Sequence, residues 1–266
     1  MDYFWLFDRT QTAYNSRMVS YPDLQGKVVI VTGGANGIGA ATVQAFHKQG
    51  ARVYFCDIDE KAGRDLVQEL GERATFAQVD LTREKAVRSW IKAIGKGATR
   101  IDVLVNNAAS DPRIKLEDMT AAQWDHLFAL NLRAYFLTVQ AAVPFMLSGG
   151  ESIVNLSSIT FQQGPGGMSA YVGTKAGIIG FTRSIARELG PRRIRANVVS
   201  PGWVMTARQL RQYVTAQTKK VIRRAQCVPD LLKPEDLAEV ILFLASDSSR
   251  AITGQEILAD RGWYHS

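Results

Sequence analysis

Three side chains past the middle of the chain could together move a proton. Tyr171 and Lys175 stand at i and i+4, which places a phenol and an ammonium on one face of a helix, and Ser158 lies shortly upstream. A tyrosine with its ordinary pKa of about 10 is a poor base at neutral pH, but a neighbouring cation lowers that pKa. We therefore predict that Tyr171 is a general base activated by Lys175, and that Ser158 holds the substrate oxygen beside it.

A glycine-rich turn near the start of the chain could bind phosphate. Residues 28–31 are all β-branched, as a strand buried on both faces of a parallel sheet requires. Gly33, Gly37 and Gly39 interrupt this run, and a helical pattern over 40–49 follows. Such glycines let the backbone approach a pyrophosphate at the N-terminus of the helix. The spacing is longer than the common G-x-G-x-x-G, so a turn without a ligand stays an alternative.

An acidic residue follows the second predicted strand, residues 52–56. Asp57 lies roughly 20 residues past the glycines, where it can accept hydrogen bonds from an adenosine ribose. Its charge repels a 2′-phosphate, and Ala35 and Asn36 in the turn supply no compensating cation. We therefore expect NAD, with NADP less favoured and a solvated carboxylate as the alternative. The positive charge of the oxidised nicotinamide would lower the pKa of Tyr171 further.

Strand-like and helix-like segments alternate along the whole chain. Thr120 is predicted to cap a long helix through Leu147, and Pro234 to open a helix through Ala245. This alternation predicts an α/β fold, a single-domain Rossmann-type doubly wound parallel sheet with helices on both faces. We assign residues 1–23 to an N-terminal arm and residues 24–266 to the dinucleotide-binding domain. The further predicted strands are 75–79, 102–105, 152–156, 195–199 and 256–259.

The order of these motifs resembles the short-chain dehydrogenase/reductase family. The resemblance covers about residues 24–262 and includes the turn 32–39, Asn106-Asn107-Ala108-Ala109, Asn131, Ser158, Tyr171-x-x-x-Lys175 and Pro201-Gly202. Ala109 departs from the pattern, because the family usually has glycine there and a methyl group could crowd the cofactor. Ser157 is a rival to Ser158, and the family's spacing to the tyrosine selects Ser158.

The resemblance implies further roles that are assigned by position alone. Asn131 would help seat a water that links Lys175 to solvent, Asp80 would hold the adenine edge, and Thr206 would contact the nicotinamide amide. It also implies a substrate lid around 203–230 and a homo-oligomer, for which we expect a tetramer with a dimer as the alternative, with the Tyr171 helix and residues 262–266 near subunit contacts. The predicted cofactor-binding residues are Gly33, Asn36, Gly37, Ile38, Gly39, Asp57, Ile58, Asp80, Leu81, Asn107, Ala108, Tyr171, Lys175, Pro201, Gly202, Val204 and Thr206.

The loops around the predicted catalytic centre are rich in polar residues. Amides, an acid and arginines suit a ligand dense in hydroxyl groups, because such a site can form many short polar contacts. The alternative is that these side chains face water. The predicted substrate residues are Asp111, Arg113, Ser158, Thr160, Gln162, Gln163, Tyr171, Trp203, Arg208 and Gln209.

Four stretches resemble, more narrowly, bacterial aldose 1-dehydrogenases of the pentose-oxidising type: residues 106–113, 158–160, 206–209 and 259–263. This resemblance implies NAD-dependent oxidation of an aldose, such as xylose or arabinose, at C1 to the lactone. Polyol and hydroxy-acid dehydrogenases share some of these features and stay open as alternatives.

The net charge of +7 raises a different possibility. Residues 183–224 hold eleven Lys and Arg residues against one acid, Glu188. We interpret this segment as a solvated basic surface that attracts the anionic cofactor. The alternatives are a 3-oxoacyl-carrier-protein reductase, against which Asp57 argues because those enzymes usually use NADPH, and a nucleic-acid-binding or sensory protein. The set of Ser158, Tyr171 and Lys175 argues against the latter, and we expect no nucleic-acid partner.

Other features exclude some classes. Cys56, Cys227 and the three histidines are scattered and form no metal or redox motif, so we predict no metal. The apolar segment 3–7 is short and has acidic flanks, unlike a signal peptide, and no transmembrane run is present. We expect a cytoplasmic enzyme with no membrane partner. Met18 would begin a leader of more usual length, so residues 1–17 are either an extension of the reading frame or an arm docked on a neighbouring surface.

Overall fold

The computed structural model describes residues 19–147 and 149–264. Within them, seven parallel strands form one sheet in the spatial order β3-β2-β1-β4-β5-β6-β7. The predicted doubly wound parallel sheet is confirmed, with strand ends within two residues of those expected. The strands are β1 (Val28–Thr32), β2 (Arg52–Asp57), β3 (Ala74–Gln78), β4 (Val103–Asn106), β5 (Ser152–Leu156), β6 (Arg195–Pro201) and β7 (Glu256–Ala259).

Helices cover both faces of this sheet. Successive side chains of a strand point to opposite faces, so Val29 and Val31 of β1 pack in one apolar core and Val28 and Ile30 in another. The first core includes residues of α1 and α10, and the second includes residues of α3 and α5. The helices are α1 (Gly37–Lys48), α2 (Glu60–Leu70), α3 (Glu84–Ala98), α4 (Ala121–Phe128), α5 (Ala134–Ala142), α6 (Thr160–Gln163), α7 (Ser169–Leu189), α8 (Ala207–Gln212), α9 (Ala216–Ala225) and α10 (Pro234–Ala245).

The long helix predicted from Thr120 to Leu147 is interrupted and ends earlier. Thr120 does cap α4, where its hydroxyl accepts a hydrogen bond from the Gln123 amide at 3.2 Å. A π-helical turn, Ala129–Arg133, then separates α4 from α5, and a 3-10 turn, Val143–Phe145, ends the run. The prediction of its C-terminal end was wrong because Pro144 lacks a backbone N–H and cannot continue an α-helix.

The described part of the N-terminal segment packs against the end of α1. Tyr21 and Leu24 are buried, the Tyr21 amide donates to Gln49 Oε1 at 2.9 Å, and Gln49 Nε2 donates to the Val19 carbonyl at 2.7 Å. Residues 1–18, which make up most of the predicted arm, lie outside the described residues, as do His265 and Ser266. No helix within the described residues combines the length and the apolar character that crossing a membrane requires.

Candidate active site

A cavity of about 900 Å³ opens at the carboxyl ends of β1, β2, β4, β5 and β6. The strand order reverses between β1 and β4, and ligands of open α/β sheets bind at such a switch point. Of the predicted residues, the cavity is lined by Gly33, Asn36, Gly37, Ile38, Asp57, Ile58, Asp80, Leu81, Asn107, Ala108, Asp111, Arg113, Ser158, Thr160, Gln163, Tyr171, Lys175, Pro201, Gly202, Trp203, Val204, Thr206, Arg208 and Gln209.

The glycine turn at one end of the cavity fits a pyrophosphate group. Gly33 has φ +64°, and a Cβ added there would stand 2.8 Å from Ala108 Cα, so only glycine fits this turn. Asn107 holds the turn by donating to the Gly33 carbonyl at 2.9 Å. Asn36 precedes α1 without a side-chain cap within the described chain, which leaves the first amides of the helix available to an anion. Gly39 is not among the described lining residues and lies behind the turn.

Two carboxylates lie at the end of β2. Asp57 Oδ2 accepts from the Ala35 amide at 3.1 Å, and Asp57 Oδ1 accepts from the Ile58 amide at 2.8 Å. Asp59 also lines the cavity and accepts from Asn36 Nδ2 at 3.1 Å. The sequence prediction did not include Asp59, although an aspartate before a helix is a common N-cap.

Asp80 is held by its own loop. Its Oδ1 accepts from the Thr82 hydroxyl at 2.6 Å and from the Thr82 amide at 2.9 Å. Arg83 Nε lies 3.1 Å from its Oδ2. These hydrogen bonds hold the pKa of Asp80 below its usual range, so the group is a carboxylate at the cavity wall.

The structure brings Ser158, Tyr171 and Lys175 together. The Ser158 hydroxyl lies close enough to the Tyr171 phenol to lower its pKa, and Lys175 Nζ lies 5.5 Å from the centroid of the Tyr171 ring. Lys175 is buried and donates to the Leu156 carbonyl at 2.8 Å, which fixes the ammonium at the end of β5. Ser157, the rival serine, instead donates to the Lys175 carbonyl at 2.8 Å and so has a structural partner.

Asn131 lies in the π-helical turn between α4 and α5 and is fully buried. Its Oδ1 accepts from the Ser110 amide and its Nδ2 donates to the Ser110 carbonyl, each at 2.9 Å. These bonds tie the helix to the loop after β4. The predicted role of Asn131 in seating a water near Lys175 stays a prediction.

The pKa of the tyrosine differs from the sequence-based expectation. Desolvation raises the pKa of Tyr171, and the charge of Asp111 raises it further, while the neighbouring Ser158 hydroxyl and Arg208 lower it. Burial lowers the pKa of Lys175 to about 7, against a raising effect of Asp111. Without a bound cofactor, desolvation therefore outweighs the expected lowering of the Tyr171 pKa by Lys175. A site from which water is excluded disfavours both charged forms, the phenolate of Tyr171 and the ammonium of Lys175.

The predicted substrate residues divide into two groups. Ser158, Thr160 and Gln163 line the cavity near Tyr171, and the buried Thr160 Oγ1 has no hydrogen-bond partner among the described residues. The other group consists of residues that contact one another at the cavity mouth: Asp111, Arg113, Trp203, Arg208 and Gln209.

Gln162 does not line the cavity in the described structure. Its Nε2 donates to Glu256 Oε1 at 3.1 Å, and the same Glu256 oxygen accepts from the Ser200 hydroxyl at 2.6 Å. The short helix α6 turns the Gln162 amide nitrogen toward β7, while its buried Oε1 has no hydrogen-bond partner among the described residues. The role of Gln162 as a substrate residue stays a prediction.

Several lining residues were not among the predicted site residues: Ser110, His126, Met168, Arg211 and Trp263. Ser110 and Trp263 lie inside two of the stretches that carry the family resemblance, while His126 and Met168 belong to no such motif. Within residues 19–147 and 149–264, no group of three or more His, Cys, Asp or Glu side chains is placed to hold a metal ion.

Comparison with known proteins identifies the family. A family model described as enoyl-(acyl carrier protein) reductase matches residues 33–264. The chain belongs to the short-chain dehydrogenase/reductase family. It is accordingly an oxidoreductase that works with a nicotinamide cofactor.

Relatives within this family carry different names. A probable galactose dehydrogenase of Rhizobium meliloti is 45% identical over 91% of this chain and 96% of its own length. A D-xylose 1-dehydrogenase of Caulobacter vibrioides is 42% identical over 91% of this chain and 98% of its own. A 3-oxoacyl-[acyl-carrier-protein] reductase of Thermotoga maritima is 36% identical over 90% of this chain and 98% of its own length.

Proposed function

We propose that the protein oxidises an aldose sugar at its anomeric carbon to the aldonolactone, with NAD as cofactor. The observation that carries this proposal is the polar wall of the cavity beside Tyr171. There Ser158, Gln163 and the unpartnered buried hydroxyl of Thr160 can form hydrogen bonds with hydroxyl groups of a ligand. The names of the relatives from Rhizobium meliloti and Caulobacter vibrioides support the same substrate class.

The chemistry assigns one task to each residue. Ser158 orients the anomeric hydroxyl, and the Tyr171 oxygen accepts its proton as the C1–H bond breaks and the C1 carbonyl forms. Lys175, held at the Leu156 carbonyl, keeps a cation near the phenol. The ring oxygen of the sugar stabilises the positive charge that develops at C1. The bound nicotinamide supplies the hydride acceptor and a positive charge that favours the tyrosinate.

The preference for NAD rests on the adenosine end of the cavity. Asp57 and Asp59 are both anionic groups there, and either would repel a 2′-phosphate. The glycine turn and the first amides of α1 would hold the pyrophosphate, and Asp57 would accept from the ribose hydroxyls. NADP is the less favoured alternative.

Assembly as a homo-tetramer is part of the proposal. A groove between the α4–α5 run and α7 is lined by Phe128, Leu132, Phe136, Gly177 and Phe181, among others. Phe136 is 43% exposed on this surface, and clustered exposed aromatic groups are typical of protein interfaces. We also propose that the enzyme works in the cytoplasm, without a nucleic-acid or membrane partner.

The alternative functions are a polyol or hydroxy-acid dehydrogenase and a 3-oxoacyl-carrier-protein reductase. The basic helix α9, with Lys219, Lys220, Arg223 and Arg224, would suit an acidic carrier protein. The carboxylates Asp57 and Asp59 disfavour the NADPH that such reductases usually use.

A substrate panel tests the proposal. Aldoses, polyols, hydroxy acids and an acyl thioester are each supplied with NAD and with NADP, and NADH or NADPH is followed by absorbance. We expect reduction of NAD with aldopentoses or related aldoses, and a lactone as the first product. NADH formation from polyols or hydroxyacyl thioesters, with none from aldoses, would replace the sugar assignment and leave the dehydrogenase assignment intact.

A further inference from the structure

One carboxylate joins the lid to the loop that follows β4. The lid comprises residues 203–230 and contains α8 and α9. Arg208 Nη1 of the lid lies 2.6 Å from Asp111 Oδ1, and Gln209 Nε2 donates to Asp111 Oδ2 at 3.0 Å. The lid therefore contacts both oxygens of Asp111, Oδ1 through an ion pair without hydrogen-bond geometry and Oδ2 through a hydrogen bond.

Aromatic contacts reinforce this junction. The Arg113 guanidinium lies 3.9 Å from the centroid of the Tyr213 ring and 5.6 Å from that of Trp203. Trp203 Nε1 donates to Gln209 Oε1 at 3.0 Å, so the indole is tied to a side chain that also binds Asp111. Such contacts of an arginine with aromatic faces are attractive and help to hold the lid in the position seen here. We refer to Asp111, Arg113, Trp203, Arg208, Gln209 and Tyr213 together as the lid clasp.

The clasp also acts on the catalytic centre electrostatically. The Asp111 side chain is only 18% exposed, so its charge is poorly screened by solvent. Its charge raises the pKa of Tyr171 and of Lys175, and Arg208 lowers the pKa of Tyr171. The two members of one ion pair thus have opposite effects on the phenol.

Other charged and polar groups line the cavity that contains Tyr171 or lie beside its ring. They are Lys175 on α7 itself, Ser158 after β5, Tyr135 on α5, His126 on α4, Arg113 in the loop after β4 and Arg211 on α8. Among the described residues, Asp111 is the acid whose charge acts on the phenol, and Arg208 is its ion-pair partner.

We propose that Asp111 and Arg208 are positioning residues whose ion pair couples closure of the lid to the action of Tyr171. With the lid seated, Arg208 neutralises the carboxylate near the phenol. With the lid lifted, that carboxylate opposes loss of the phenol proton. The base therefore works best when the lid covers the site and water is excluded. This inference rests on the proposed function, in which Tyr171 accepts the proton.

The test compares Asp111→Asn, Arg208→Gln and the double variant at saturating NAD. The pH dependence of kcat/KM for the aldose then reports ionisations of the enzyme–NAD complex. We expect the acidic limb to move to lower pH in Asp111→Asn and to higher pH in Arg208→Gln, each by about half a pH unit, because one removes an anion and the other a cation near Tyr171. The acidic limb of the double variant should lie close to that of the wild type. Lys220→Gln, an equal charge change on an exposed lid residue, should leave the limb in place.

A purely structural role would shift the acidic limb of both single variants in the same direction, or would lower kcat/KM with no shift of the limb. Either result overturns the proposal. Acrylamide quenching of Trp203 fluorescence in the NAD complex, assigned by comparison with Trp203→Phe, gives a second readout that needs no turnover. Greater quenching in Arg208→Gln supports coupling through the lid, and unchanged quenching overturns it. If the wild-type enzyme oxidises no aldose, the proposed function fails, and the same pH profile with the alcohol that it does oxidise still decides this inference.

Discussion

Gly39 lies against the carbonyl oxygen of Gly33, so that a Cβ atom added to Gly39 would stand 1.9 Å from that oxygen. The same atom would stand 2.7 Å from Asn107 Nδ2, which holds the turn in place. This separation is far below van der Waals contact, and the obstructing atom is backbone. The third glycine of the turn therefore serves the close packing of α1 against the turn, and the cofactor depends on it indirectly.

Gly39→Ala should displace the turn and weaken both folding and cofactor binding. We expect a lower melting temperature and NADH affinity reduced by at least about tenfold, because the amides of α1 would no longer face the phosphates. Fluorescence titration with NADH and thermal unfolding measure both effects. Gly97→Ala is the matched control, since no described atom lies within 4 Å of its added Cβ and alanine favours a helix. Equal behaviour of the two variants would contradict the packing role.

Tyr171→Phe should lower kcat by a factor of about 100 to 10,000, because it removes the oxygen that accepts the proton. NADH affinity should stay close to wild type, since the ring remains in the cavity wall. Initial rates and NADH titration separate the two effects. Substantial turnover in this variant would show that another group is the base.

Asp57→Asn should raise the efficiency with NADP relative to NAD by about tenfold or more. Two unit charges about 4 Å apart repel by roughly 4 kcal/mol at an effective dielectric near 20, before solvent screening. Asparagine keeps one oxygen for the Ala35 amide and loses the acceptor that Asp57 Oδ1 offers to the Ile58 amide. The ratio of kcat/KM with the two cofactors is the measurement. Asp65→Asn, an exposed change on α2, should leave the ratio unaltered, and a similar ratio in both variants would place Asp57 away from the ribose.

Lys175→Met should stabilise the cofactor-free protein at neutral and lower pH. Burial lowers the pKa of Lys175 from 10.5 to about 7, so between these values the unfolded chain binds more protons and wild-type stability rises with pH. Methionine removes this dependence, and the Leu156 carbonyl keeps the Tyr135 hydroxyl at 3.2 Å. Melting temperatures from pH 6 to about 10.5 should show an advantage for the variant that shrinks as pH rises. A constant difference across this range would rule out the lowered pKa.

Phe136→Asp should dissociate the proposed tetramer, because it buries a carboxylate among the aromatic side chains of the groove between the α4–α5 run and α7. Light scattering at micromolar concentration should give a smaller mass than that of the wild type. Val221→Asp, at an exposed apolar position on α9, should keep the wild-type mass. A wild-type protein that is already monomeric would refute the tetramer itself.

The sheet could be predicted from the sequence because buried parallel strands are continuous apolar runs between glycines and polar residues. β5 and β7 have the predicted bounds, and β1 is one residue longer than predicted. The π-helical turn at Asn131 could not be predicted in this way. It adds a residue to a single turn while the helix continues, and neither Gly nor Pro marks it in the sequence.

The site was predictable where one motif lies on one element. Tyr171 and Lys175 share a helix face, and the glycines share one turn. The sequence did not reveal that Gln162 stands on another face of α6 than Thr160 and Gln163, which stand at i and i+3, so that its amide nitrogen contacts Glu256. The pairing of Asp111 with Arg208 joins segments 97 residues apart, and local spacing contains no information about such a contact.

Val204, near the start of the predicted lid 203–230, and Leu232, just past its end, form a parallel bridge, and the Met205 amide donates to the Leu232 carbonyl at 2.8 Å. Both bridge residues are buried against the apolar core that contains α10. The intervening segment therefore leaves the domain and rejoins it at one point, because both of its ends pack in the same apolar core. Segments of other lengths and sequences could be grafted between these two anchors while the seven strands keep their register, which makes this stretch the natural place to exchange substrate preference between members of the family.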